Sequence, residues 1–202
     1  MKNKTALLVL DLINEIVHPS GKYSSEGYFD QVTCRDVIHN AKKAIEHARR
    51  LEMLVIYVIV GFSENYVEWP KNSPVFRSAK TEKRIILGTW GTQIHSSIEP
   101  KPHEKIIVKN RINSFYQTNL ELLLKNNDIQ TVLLTGVSTE FVILSTAMQA
   151  HDKDYQVVVL EDATASSHED LHISAIKILE RIAKVNTVEN FFREEIGVLC
   201  QN

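Results

Sequence analysis

Cysteine is nearly absent: two residues in 202, Cys34 and Cys200, stand far apart and belong to no CxxC pair or metal-spaced cluster. Neither a disulfide framework nor a structural metal knuckle is therefore expected. Long apolar runs are missing as well. The longest, such as Leu51 to Phe62, falls well short of the roughly 18 residues that a membrane span needs. The N-terminal MKNKTALLVLDL has no small-residue cleavage site, so a cytoplasmic location is expected. An excess of one charge is lacking too. Lys plus Arg number 23 against 25 Asp plus Glu, a net charge of −2, and no block of like charge stands out. Nothing marks nucleic acid or an anionic membrane as partner, which leaves a small molecule. Repeats and low-complexity tracts are also absent.

What is present is a core. Hydrophobic residues make up 44% of the chain and charged residues 24%, too apolar a balance for disorder. At roughly 150 residues per domain, residues 1–202 read as a single domain with an added arm. Short branched runs at Ala6 to Leu10, Leu54 to Val60, Lys105 to Val108, Thr131 to Thr135 and Gln156 to Leu160 have the composition of strands buried on both faces. A last short strand is expected over Ala183 to Val188. Helical spacing appears between them, at Val37, Ala41, Ala44, Ala48 and Leu51, and again at Leu171, Ala175, Ile178, Leu179 and Ile182. Thr118 with Glu121, and Ser166 with Glu169, stand at capping-box spacing before helical stretches. Strand and helix alternating in this order predict a doubly wound, Rossmann-like α/β domain with about six strands. Gly61 to Ile98 breaks the rhythm and reads as an excursion over the site or a partner.

Ligands of such folds bind at the carboxyl ends of strands. Asp11 follows the first buried run, Lys109 the third, and Gly136 with Ser138 and Thr139 the fourth. An aspartate and a lysine meeting at one rim form either a structural ion pair or an acid/base pair with a cationic clamp. Backbone amides at Ser138 and Thr139 point either into the cleft or into an ordinary helix cap. Trp90, Phe115 and Tyr116 are candidate lining aromatics, as is Phe62; the alternative is packing in the core.

The segments ALLVLDLIN, KNRINSFYQTNLELLL and LLTGVSTEFVILSTAMQAHDKDYQVVVLEDATA resemble the isochorismatase-like hydrolases, also called cysteine hydrolases, over nearly the whole chain and in motif order. The resemblance implies a three-layer α/β/α sandwich around a mostly parallel six-stranded sheet. It assigns the catalytic aspartate to Asp11 and the catalytic lysine to Lys109. It also implies a cis peptide between Val137 and Ser138 and assembly as a homodimer or homotetramer; from the turn itself, Val137, Ser138 and Thr139 are expected to contact substrate. Where the family's amidases carry their nucleophilic cysteine, this chain has Val142, and the neighbours Phe141 and Ile143 are equally inert.

Valine supplies no thiolate. The chemistry left is noncovalent acid/base hydrolysis of a small vinyl ether, amide or related molecule: Asp11 transfers the proton, Lys109 orients a substrate carboxylate, and Val142 is an apolar wall. The competing expectation is a catalytically silent small-molecule-binding or scaffold protein of the same fold. No cofactor is expected. The nicotinamidase branch binds metal through an Asp-x-His element, but His18, His39 and His47 have no aspartate two residues before them, so no metal of that kind is expected. His168, Glu169 and His172 spell the zincin pattern HExxH. The following stripe from Leu171 claims the inward face and directs the histidines elsewhere, so a metalloprotease is not expected.

Overall fold

The computed structural model describes residues 4–199, with side chains over residues 4–194. Six strands, β1 (Thr5–Leu10), β2 (Leu54–Val60), β3 (Lys105–Lys109), β4 (Thr131–Val137), β5 (Gln156–Ala165) and β6 (Lys184–Asn186), pair in parallel in the order β3-β2-β1-β4-β5-β6. The chain order reverses at β1, which lies centrally, with Leu10 beside Val58 on one flank and Gly136 on the other. Both faces of β1 are covered, which is why its run is unbroken by polar residues.

Alternation along the strands sends side chains to two cores. Leu7, Val9, Val55 and Tyr57 pack against helix α3 (Val37–Arg50), after the short α1 (Asn14–Val17) and α2 (Tyr28–Cys34). Ala6, Leu8, Leu10, Ile56 and Val58 face α4 (Leu120–Asn126), α5 (Leu144–His151) and α6 (Glu169–Leu179). The result is the sandwich of helix, sheet and helix that the sequence pattern predicts. Each fully buried Leu or Val contributes about 1.5–3 kcal/mol relative to exposure. In α3 the inward stripe is largely alanine (Ala41, Ala44, Ala48), small enough to let the helix sit close on the sheet. The excursion over residues 61–98 forms a third cluster around Phe62, Tyr66, Phe76 and Ile85, and lays it against the carboxyl end of the sheet. Phe62 is fully buried there as a core residue.

Several expectations are corrected. The last strand stops at Asn186; Val188 instead opens a seventh helix, α7 (Val188–Leu199), its N–H donating to Asp162 Oδ1 at 2.9 Å. Phe191 and Phe192 of α7 join the α3 core, a packing the strand pattern did not reveal. Neither capping box forms. Asn119 takes the cap position of α4 without a side-chain cap bond, while Thr118 Oγ1 accepts from Leu120 N and donates to Ser114 O, and Glu121 pairs with Lys125 and Lys153. Ser166 is buried with its hydroxyl unpartnered, and His168 takes the cap position of α6. On α6 it is His172, Ala175 and Leu179 that turn inward, whereas Leu171 and Ile178 are 39% and 43% exposed. The inward face is therefore shared by an imidazole, the reverse of the sequence expectation.

Candidate active site

Three strand ends converge. Asp11 leaves β1 in the left-handed region (φ 52°), which aspartate tolerates better than most residues, and its N–H donates to Val58 O at 2.8 Å. Lys109 ends the edge strand β3, and its side chain passes the end of β2 to meet Asp11. Both are buried, at 2% and 1% exposure. Lys109 Nζ donates to Asp11 Oδ2 at 2.6 Å, Arg111 O at 3.1 Å and Ile112 O at 3.2 Å. An ammonium has three protons, and all three are committed. For Lys109 to orient a substrate carboxylate, as the sequence leads one to expect, it must release Asp11 or a loop carbonyl when ligand binds.

Asp11 is left half-satisfied. Its Oδ1 is buried with no partner within hydrogen-bond geometry. Burial raises the carboxyl above its ordinary range, and the charge and hydrogen bond of Lys109, with a smaller contribution from the nearby Val60 N–H, oppose that without cancelling it. A carboxyl held in this way exchanges protons more readily near neutrality than an exposed aspartate.

The third strand end is built by Gly136. Its φ is +124°, and a Cβ there would lie 1.9 Å from Leu10 O, so only glycine lets β4 run against β1 at this point. The Val137–Ser138 peptide that follows is cis. The chain then makes a π turn over Thr139–Ile143, with Ser138 O accepting from Val142 N at 2.9 Å and Ile143 N at 3.0 Å. This turn brings Val137, Ser138, Phe141 and Val142 to a cavity shared with Asp11 and Lys109. Its volume is about 60 Å³. At roughly 10–15 Å³ per water, it holds about four to six water-sized groups. The remaining wall is mostly apolar, with Ile16 from α1, Val60 from β2, Val75, Phe76 and Ile85 from the excursion, and Ile112 from the loop after β3.

Not every sequence candidate arrives. Asp11, Lys109, Val137, Ser138 and Val142 come together, but Thr139, Trp90, Phe115 and Tyr116 do not line the cavity. Thr139 is fully buried behind the turn, its Oγ1 2.9 Å from His172 Nδ1. Trp90 is 44% exposed, with its ring edge-on to His18. Phe115 stacks on Tyr155 in the core with centroids 6.2 Å apart, and Tyr116 is 52% exposed. Sequence reasoning missed Tyr23 and Tyr28, which reach the cavity from the connection between β1 and α3, Tyr28 as the first residue of α2. Tyr28 donates to Glu140 Oε1 at 3.5 Å, and burial together with that carboxylate raises the phenol's pKa. Tyr23 is nine-tenths buried, and its hydroxyl lies by the Ser78 side chain without a well-formed hydrogen bond.

The zincin pattern is pulled apart. His168 is exposed, whereas His172 is buried with Nδ1 on Thr139 and Nε2 3.1 Å from Glu161 Oε1. Both its nitrogens serve protein partners, and its carboxylate partner is Glu161 rather than Glu169. Among the described residues no group of three or more His, Cys, Asp or Glu side chains is placed to hold a metal ion. Cys34 ends α2, is exposed, and does not line the cavity; Cys200 lies outside the described residues.

Comparison with known proteins agrees with this geometry. A family description, the isochorismatase domain, matches residues 5–190. An isochorismatase-like hydrolase from Alkaliphilus metalliredigens is 27% identical, with 95% of this chain and 99% of that one covered and a TM-score of 0.79. N-carbamoylsarcosine amidase from Thermoplasma acidophilum is also 27% identical, covering 92% of this chain and 97% of that one with a TM-score of 0.73. A cysteine hydrolase from Pseudomonas syringae shares the fold at 18% identity, with 94% and 91% covered and a TM-score of 0.85. With its sheet order, its strand-end pair and a match over nearly its whole length, the chain belongs to the isochorismatase family, a family of hydrolases that act on small molecules.

Proposed function

We propose that this chain hydrolyses a small vinyl ether, amide or related compound by noncovalent acid/base chemistry, with Asp11 moving the proton and water as the nucleophile. The observation that carries this reading is the unpartnered Asp11 Oδ1 on a carboxyl that lines the cavity and is pinned through Oδ2 by Lys109. Lys109 is a positioning residue: it fixes the carboxylate and keeps no proton for substrate. Val142 is an apolar wall where a thiol would otherwise attack.

With a vinyl ether, protonated Asp11 gives its proton to the terminal vinyl carbon, and the π electrons form the new C–H bond. The oxocarbenium carbon left behind takes the oxygen of water, whose proton returns to Asp11. The hemiacetal or hemiketal then breaks its C–O bond, releasing a carbonyl compound and an alcohol. With an amide, ionised Asp11 accepts a proton from water as the oxygen bonds the carbonyl carbon, then passes it to the departing nitrogen. The two substrates call for opposite starting states of one carboxyl. Activity through the acid route falls as pH rises past the Asp11 pKa, and activity through the base route falls as pH drops below it.

The experiment is a panel of small vinyl ethers and amides assayed with wild type, with Asp11→Asn, and after treatment with a thiol-blocking reagent. Turnover that disappears in Asp11→Asn and survives thiol blocking supports the reading; turnover that survives in Asp11→Asn overturns it. Val142 also motivates a second reading, a ligand-binding protein without turnover, in which compounds raise the melting temperature but rates stay at background. The same reading takes the protein as a cytoplasmic homodimer or homotetramer, tested by sedimentation and cell fractionation.

A further inference from the structure

The inner cavity opens onto a second depression. Tyr23, Tyr28, Val75 and Phe141 line both, and so form a neck between them. Beyond the neck lie Pro74, Glu26, Ser167 and His168, around a space of about 480 Å³, against about 60 Å³ for the inner cavity. The two compartments differ in character as well as size. The inner one ends at the Asp11 carboxyl, while the outer one has aromatic and aliphatic walls and a polar far rim.

His168 makes that rim usable. It is exposed, its Nδ1 sits 3.0 Å from Ser167 Oγ, and Nε2 makes no hydrogen bond to the described residues. Glu26, by contrast, is paired with Arg84. At the neck itself the buried Tyr23 hydroxyl makes no well-formed hydrogen bond, its protein neighbour for such a bond being the Ser78 side chain, and a ligand group threading the neck offers it a better partner. His168 belongs to the HExxH segment, for which the inner site has no use.

We propose that the outer depression is a binding subsite for the distal part of the substrate, an uncharged apolar or aromatic tail that passes the Tyr23–Tyr28 neck and ends in a hydrogen-bonding group met by His168 Nε2. The substrate is then a two-part molecule: a reacting head of about four to six heavy atoms inside, by the volume argument above, and a larger tail outside. Anionic tails are disfavoured, because Arg84 is already shared between Glu26 and Glu82 and Lys109, which lines the inner cavity, has no free proton. This inference rests on the reading that the reacting group lies at Asp11.

The test compares binding of a short and a long uncharged probe, acetamide and 4-acetamidobenzamide, by saturation-transfer NMR and titration calorimetry. Wild type, His168→Ala and Pro74→Trp are compared; both positions are exposed, so the folded protein is retained and circular dichroism checks it. Pro74→Trp fills the depression, and His168→Ala removes its hydrogen bond. The expected result is at least about fivefold weaker binding of the long probe in both variants, the scale of one hydrogen bond, with acetamide binding unchanged. Equal effects on both probes, no effect on the long one, or failure of the long probe to bind wild type would each overturn the subsite. Turnover is not read, so a failed subsite is distinguishable from a failed Asp11 mechanism, which the Asp11→Asn assay decides separately.

Discussion

Two carboxylates, one at the end of the central strand and one two strands away on β5, are treated differently by the same fold. Asp11, at the end of β1, has a single cationic partner and an idle oxygen, and burial raises its pKa. Glu161, on β5, is gripped by His172 Nε2 and by the Arg35 guanidinium, and these contacts hold its pKa down to about 2. Both neighbourhoods contain residues that the sequence marks as candidates, Asp11 and Lys109 in one and the HExxH histidine His172 in the other. Hydrogen-bond satisfaction separates them. A carboxylate whose acceptors are filled by fixed donors is a brace; one with an empty acceptor in a cavity can still take or give a proton.

The sharpest way to break this comparison is to remove each carboxylate. Asp11→Asn is expected to lower kcat by about 10²–10⁴-fold, the usual range for a positioned proton-transfer group. It also leaves buried Lys109 without a counter-charge, so urea unfolding is expected to show a stability loss of up to about 3–5 kcal/mol. Glu161→Gln keeps an acceptor but not the charge. It is expected to cost about 1–2 kcal/mol while leaving kcat within about twofold. A kcat loss at Glu161 comparable to that at Asp11 would erase the distinction drawn between them.

Next in size is the pH dependence of stability, where the two groups carry opposite signs. The folded pKa of Glu161, about 2, lies below its ordinary 4.5, so its contribution is fully present above pH 4.5 and is lost as pH falls toward 2. The folded pKa of Asp11 lies above its ordinary 3.8, so the folded state holds the proton more tightly and stability falls as pH rises from 3.8. Denaturant unfolding across pH 2–7 checks both. The wild-type minus Glu161→Gln difference should climb between pH 2 and 4.5, and the wild-type minus Asp11→Asn difference should descend above pH 3.8. Curves of the same sign would contradict the contrast.

Much of this contrast was legible in the sequence, and its gaps have physical reasons. Branched runs at β1, β2 and β4 mark strands buried on both faces because a doubly covered strand has no polar side, and the strand-end rule then finds Asp11 and Lys109. The rule says which residue stands at a rim, but it cannot count the donors that Lys109 spends on Arg111 and Ile112 carbonyls from its own loop. It also cannot follow loops, so Tyr23 and Tyr28 were invisible while exposed Trp90 and Tyr116 looked plausible. On α6 the apolar pattern pointed the wrong way. His172 is drawn inward by two polar partners, Thr139 and Glu161, which outweigh the burial of Leu171.

His172 itself allows a finer test. His172→Gln disturbs the brace beneath Thr139 and is expected to lower stability by about 1–3 kcal/mol, the penalty for buried polar groups left unpaired. Because both ring nitrogens already serve protein partners, added zinc and a chelator are each expected to leave wild-type activity unchanged. A chelator-sensitive enzyme would return the HExxH segment to catalysis.

The smallest effect is expected at Val142, the residue that stands in the cavity in place of a thiol. Val142→Cys is close to volume-conserving, so its stability change should stay under about 1.5 kcal/mol. The new sulfur would share the cavity with Asp11, whose carboxylate raises a nearby thiol's pKa by like-charge repulsion, and with Lys109, whose charge Asp11 already neutralises. Alkylation by iodoacetamide, followed by peptide mass spectrometry, should label position 142 more slowly than exposed Cys34, and a ligand in the cavity should slow it further. Faster labelling at position 142 than at Cys34 would mean that the pair presents a net cation to the cavity; Lys109 would then not be spent on Asp11 and its own loop, and the comparison with Glu161 would have to be redrawn.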